Sequence, residues 1–109
     1  MGEKKQLDFT CPECRGPMHT VTGEGPPIYS CRVGHAYSVR TLLQDHSATQ
    51  ERHLWAAALA LDEAAAIAAE AAASLPELRE QLMESGMEKQ RQAQAIKDVI
   101  AQLRPFPLE

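Results

Sequence analysis

All three cysteines of the chain fall within residues 11–31, and a histidine follows at 35. The spacing reads Cys11-x2-Cys14, sixteen residues, then Cys31-x3-His35. Two short pairs separated by a hairpin-length insert can bring four ligands to one tetrahedral Zn²⁺ from two turns. Pro12 stiffens the loop between the first two thiols, and Gly16 follows where a tight turn needs a positive φ. Gly34 stands just before His35, where a larger side chain would crowd the approach of a metal. Between the pairs, Gly23 to Pro27 (GEGPP) is a strong turn signal. Strands are expected on either side of it, at Met18 to Thr22 and Ile28 to Cys31, with Phe9 leading into the first turn. This is the outline of a zinc ribbon.

Three other readings compete with it. The cysteines could be small buried hydrophobes with His35 merely nearby. A rubredoxin-like iron site is made of four thiolates, whereas three thiolates and an imidazole favour zinc, although spacing alone does not decide the metal. A redox Cys-x-x-Cys belongs in a βαβ context that this chain lacks. If Cys11, Cys14, Cys31 and His35 all bind, the coordination sphere is closed and the zinc is structural, because a catalytic site keeps a position for water. A segment of some forty residues with few large apolar side chains needs such a metal. Structural zinc supplies folding free energy on the order of 10 kcal/mol.

The remaining histidines read as packing or solvated residues. His19 falls on the expected hairpin. His46 and His53 are seven apart on a helix and share a face, but with no Cys, Asp or Glu at matching spacing they make a poor second site.

After the ribbon the pattern becomes helical. Ser38 is suited to cap a helix beginning VRTLLQ, and no proline or glycine follows until Pro76. From Ala56 to Ala73, twelve of eighteen residues are alanine, so a helix of about 35 residues and roughly 50 Å is expected. Leu54, Ala58, Leu61, Ala65, Ala68, Ala72 and Leu75 form a heptad seam whose small side chains allow close approach of another helix. A second stripe runs through Leu78, Leu82, Ser85, Lys89, Gln92, Ile96, Val99 and Leu103. Pro76 separates the two helices. Gly86 offers a break, with Ser85 to Glu88 mimicking a capping box.

The expected architecture is small α+β: a zinc ribbon over 1–38, then an antiparallel helical hairpin over 39–107, with helices at about 39–74 and 76–104 and an interruption near 85–86. Two helices alone leave apolar edges, which a second hairpin completing a four-helix bundle or a docking partner would cover. Trp55 stands off the main seam, either packed against the ribbon or serving as an interface anchor.

Charge narrows the partners. Residues 1–40 carry five basic and four acidic groups, while 41–109 carry six and eleven, net −5. Neither offers the basic surface that nucleic-acid binding relies on. A patch of Arg15, Arg32 and Arg40 with Tyr29 and Tyr37 leaves a nucleic-acid-binding ribbon as the alternative. Asp62, Glu63 and Glu70 interrupt the alanine run, against membrane insertion, and the polar start MGEKKQLD does not read as a signal peptide. An odd cysteine count suits a reducing cytoplasm.

Two stretches, FTCPECRGPM and YSCRVGHAYSVRTLLQDHSATQERHLWAAALALDE, resemble the zinc-ribbon and helical extension that follows the catalytic domain in some CheB-type chemotaxis protein-glutamate methylesterases. The later KQRQAQAIKDVIAQL resembles the same extension more loosely. Arg15 departs from the family's pattern, where a glycine follows CPEC, and Val39-Arg40-Thr41 replaces an acidic capping pattern. The resemblance implies metal binding by Cys11, Cys14, Cys31 and His35 and nothing catalytic. The family's esterase chemistry sits on a separate Ser/His/Asp domain, and this chain has no G-x-S-x-G. It also implies a chemotaxis-like signalling setting, with self-association as a homodimer or docking on a signalling protein. A thiolate site of this kind is equally compatible with a redox sensor.

Overall fold

The computed structural model describes residues 6–21 and 23–108. Thr22, the last residue of the expected strand Met18 to Thr22, and residues 1–5 of the polar start lie outside that range. Four strands come first: β1 Gln6–Thr10, β2 Pro17–Val21, β3 Ile28–Cys31 and β4 Ala36–Ser38. They form one antiparallel sheet in chain order. Met18 stands opposite Cys31, and Tyr29 opposite Tyr37. With side chains alternating between the faces, one face collects Phe9, Met18, Tyr29, Cys31 and Tyr37. Cys11, Met18, Cys31, Tyr37 and Leu42 of the following helix are buried as a core, with Phe9 and Tyr29 packed against it. Phe9 and Tyr29 meet edge to face, centroids 5.5 Å apart.

Helix α1 spans Val39–Ser74. Ser38 caps it as expected, and the cap is reciprocal. The Thr41 N–H donates to Ser38 Oγ at 3.2 Å, and the Ser38 N–H donates to Thr41 Oγ1 at 3.0 Å. Thr41 thus fills the capping-box position that Glu or Gln more often takes, which explains how the helix starts without an acidic residue. Leu75 leaves helical geometry (φ −126°, ψ 77°), a 3-10 turn covers Pro76–Leu78, and α2 runs Arg79–Gln102. The second helix therefore begins three residues later than Pro76 suggests. Pro76 nucleates the tight turn rather than the helix itself.

The described chain groups into two compact units, one of residues up to 49 with the segment from Pro105, the other Gln50–Arg104. The helical hairpin belongs to the second. Ala58, Ala65 and Ala72 of α1 are buried, as are Gly86 and Ala93 of α2. Asp62 pairs with Lys97 at 2.9 Å while Gly86 adjoins Ala65, so the helices are antiparallel. Seven-residue steps between small residues on both helices let the backbones approach closely.

Two expectations for α2 are corrected. The helix passes Gly86 without a break, and Gly86 instead faces Ala65 and Ala68 of α1 at contact distance. The seam runs through Gly86 and Ala93, with Ile100 half-buried, and not through the exposed Ser85, Gln92 and Val99. Stepping from Leu82 by three or by four gives equally regular stripes; the close approach selects the one with small residues. Leu75, assigned to the first seam, lies beyond α1 and is 39% exposed.

Candidate metal centre

The two turns that carry the cysteines are fixed by their own backbones. In the first, the Cys11 N–H donates to the Gly16 carbonyl and the Arg15 N–H to the Cys11 carbonyl, both at 2.8 Å. In the second, the Gly34 N–H donates to the Cys31 carbonyl at 3.2 Å and the Cys31 N–H to the His35 carbonyl at 3.1 Å. The left-handed residue of the first turn is Arg15 (φ 62°) and not Gly16. The chain thus places arginine where glycine costs less. Gly34 has φ +109°, and a Cβ there would meet nothing within 4 Å. Its role is conformational, not the relief of crowding.

These turns bring Cys11, Cys14, Cys31 and His35 together, with one ligand atom from each within 4.8 Å of every other. His35 Nδ1 lies 3.3 Å from Cys31 Sγ and 3.5 Å from Cys11 Sγ. Zinc–ligand bonds of about 2.0–2.3 Å in a tetrahedron set ligand atoms roughly 3.5–4 Å apart. The cluster therefore has the donor set and the size to hold a metal ion. Cys11 and Cys31 are buried, Cys14 is exposed, and none is in a disulfide.

The surroundings stabilise thiolate at Cys31 and Cys11 but not at Cys14. Burial pushes the Cys31 thiol up, but backbone N–H groups of His35, Gly34 and Val33, with the Cys14 side chain, hold it down to about 6. Cys11 is lowered in the same way: burial opposes, and the Cys14 and Glu13 N–H groups with the Tyr37 hydroxyl outweigh it. Cys14 is raised; the Gly16 N–H favours its thiolate, but desolvation and the two neighbouring cysteines prevail. His35 is raised chiefly by the Cys31 sulfur. Burial, then the Cys11 sulfur, raises Tyr37, keeping its hydroxyl protonated and able to donate to Cys11 Sγ at 3.9 Å.

Three contacts around the cluster escaped sequence reasoning. Glu13 Oε2 lies 2.8 Å from His35 Nε2. Tyr37 reaches Cys11. His46 Nε2 donates to the Thr10 carbonyl at 2.9 Å, tying the first turns of α1 to the residue before Cys11. The only sequence signal for them was position: Glu13 lies inside the first Cys pair, and Tyr37 lies two residues past His35.

His46 is thus a structural tie, and His53 is exposed on the same helix; they form no cluster of metal-binding groups among the described residues. His19 lines a cavity with Gln6, Ser30, Arg32 and the ligand Cys31, but it is not among the metal-binding groups that cluster. Tyr37 is only 7% exposed, which removes one of the two aromatics from the proposed basic-aromatic patch. Trp55 is 49% exposed. Among the described residues no helix is long and apolar enough to cross a membrane. No family model, curated protein or solved structure matches the chain.

Proposed function

We propose that the chain is a non-catalytic zinc-binding module whose helical hairpin mediates protein association. The observation that carries this reading is the convergence of three sulfurs and one imidazole nitrogen on one point from two backbone-fixed turns. Zinc suits that donor set. With all four positions taken by protein, the ion holds the sheet together and offers no place for a reactant.

Association is supported by what the hairpin leaves uncovered. Trp55, Leu59, Ile67, Met83 and Met87 are all exposed by 46% or more, while its seam is largely alanine and glycine, which bury little area. A second copy completing a four-helix bundle would cover such side chains. The resemblance to the extension of CheB-type methylesterases favours a cytoplasmic, chemotaxis-like signalling setting, in which the partner is another copy or a signalling protein.

The test is light scattering on zinc-loaded protein over a wide concentration range, alongside Trp55→Ala with Leu59→Ala. A dimer weakened by the double substitution is expected. A monomer at every concentration, with no complex formed with chemotaxis signalling proteins, would contradict the association reading and leave the metal assignment standing.

A further inference from the structure

The imidazole of His35 is held from both sides. Nδ1 faces Cys31 Sγ and Cys11 Sγ at 3.3 and 3.5 Å, and Nε2 faces Glu13 Oε2 at 2.8 Å. A neutral imidazole carries one N–H and one lone pair, and a carboxylate only accepts. Glu13 therefore draws the proton to Nε2 and leaves the Nδ1 lone pair directed at the sulfurs, where a metal ligand is needed. Glu13 itself sits between Cys11 and Cys14 in a turn whose backbone is fixed by the Cys11–Gly16 and Arg15–Cys11 hydrogen bonds. One turn thus supplies two thiolates and also the group that orients the ligand of the other turn.

The pair is open to solvent, His35 being 32% and Glu13 56% exposed. As an ordinary surface ion pair it would add little to folding. A carboxylate bonded to the distal nitrogen of a metal-ligating histidine acts differently. It fixes the ring's tautomer and orientation and raises the basicity of the ligating nitrogen.

We infer that Glu13 is a positioning residue for metal capture, selecting the Nδ1-ligating form of His35 through its hydrogen bond to Nε2. The inference rests on the metal-binding reading above.

Zinc affinity measured by competition with a chromophoric chelator tests it, on the full chain with Glu13→Ala, Glu13→Gln and, as a charge control in the GEGPP turn, Glu24→Ala. Glu13→Ala should lose about 10–100-fold in affinity. Glu13→Gln should retain most of it, since its amide oxygen still accepts from Nε2, and Glu24→Ala should match wild type. Nitrogen NMR of the zinc-loaded wild type supplies a readout that mere stability would not move: the His35 proton should reside on Nε2 and exchange slowly. Affinity of Glu13→Ala equal to that of wild type, or a His35 proton on Nδ1, would overturn the inference. Wild type that binds no zinc would instead remove the metal reading on which it stands.

Discussion

Gly86 of α2 packs so closely on α1 that a Cβ added at 86 would lie 3.4 Å from the Cβ of Ala68 and 3.6 Å from the carbonyl oxygen of Ala65. Both are ordinary contact distances, so alanine fits and larger side chains do not. Glycine costs a helix interior about 1 kcal/mol relative to alanine. Gly86→Ala should therefore stabilise the hairpin by ~0.5–1 kcal/mol, and Gly86→Leu should destabilise it by ~1–3 kcal/mol through overpacking. Denaturant unfolding followed by helical ellipticity separates the two; a destabilised alanine variant would contradict the packing described.

The same seam ranks two other positions. Ala58 is fully buried, and Ala58→Leu should cost ~1–3 kcal/mol. In the Asp62–Lys97 pair Asp62 is 40% and Lys97 36% exposed, and Asp62→Asn should cost under about 1 kcal/mol. A larger loss of stability from Asp62→Asn than from Ala58→Leu would contradict this packing.

Backbone geometry gives a third expectation. Arg15 holds φ 62°, a region costing a non-glycine residue about 1–2 kcal/mol. Arg15→Gly should relieve most of that, offset in part by the greater freedom of the unfolded chain, and tighten metal binding. Gly34 at φ +109° has no such latitude. Gly34→Ala should loosen the second turn by ~1–3 kcal/mol, read as weaker zinc affinity. Equal affinities for both variants and wild type would contradict the two turns as drawn.

Acid should empty the site. The Cys31 value is depressed, from near 9 to about 6, so its thiolate contributes to folding in full above the unfolded value and that contribution is lost as pH falls through about 6. Metal binding needs the same thiolate. His35, whose value is raised, adds proton competition on the acid side. Zinc should be held at neutral pH and its affinity should fall as acid protonates the ligands, as followed by a zinc-responsive dye; an affinity that does not change with pH would contradict the thiolate assignment.

The parts of the fold written in local chemistry were legible. The Cys and His spacing marked the four residues that the structure brings together, β3 matched the run Ile28 to Cys31, and Ser38 announced α1. What stayed hidden depends on pairing across space. β4 is three residues long and β1 was visible only as Phe9, because such short strands acquire identity from their neighbours. Gly86 misled because glycine both ends helices and permits close helix contact, and only the facing Ala65 distinguishes the two. The Glu13–His35 contact joins turns that the sequence separates.

The most direct test of the central claim is zinc-edge X-ray absorption on purified, zinc-loaded protein with its metal content measured. One zinc per chain is expected, with three sulfur neighbours at about 2.3 Å and one nitrogen at about 2.0–2.1 Å. Substoichiometric metal, or an oxygen neighbour in place of one of the four, would contradict a closed structural centre built from Cys11, Cys14, Cys31 and His35.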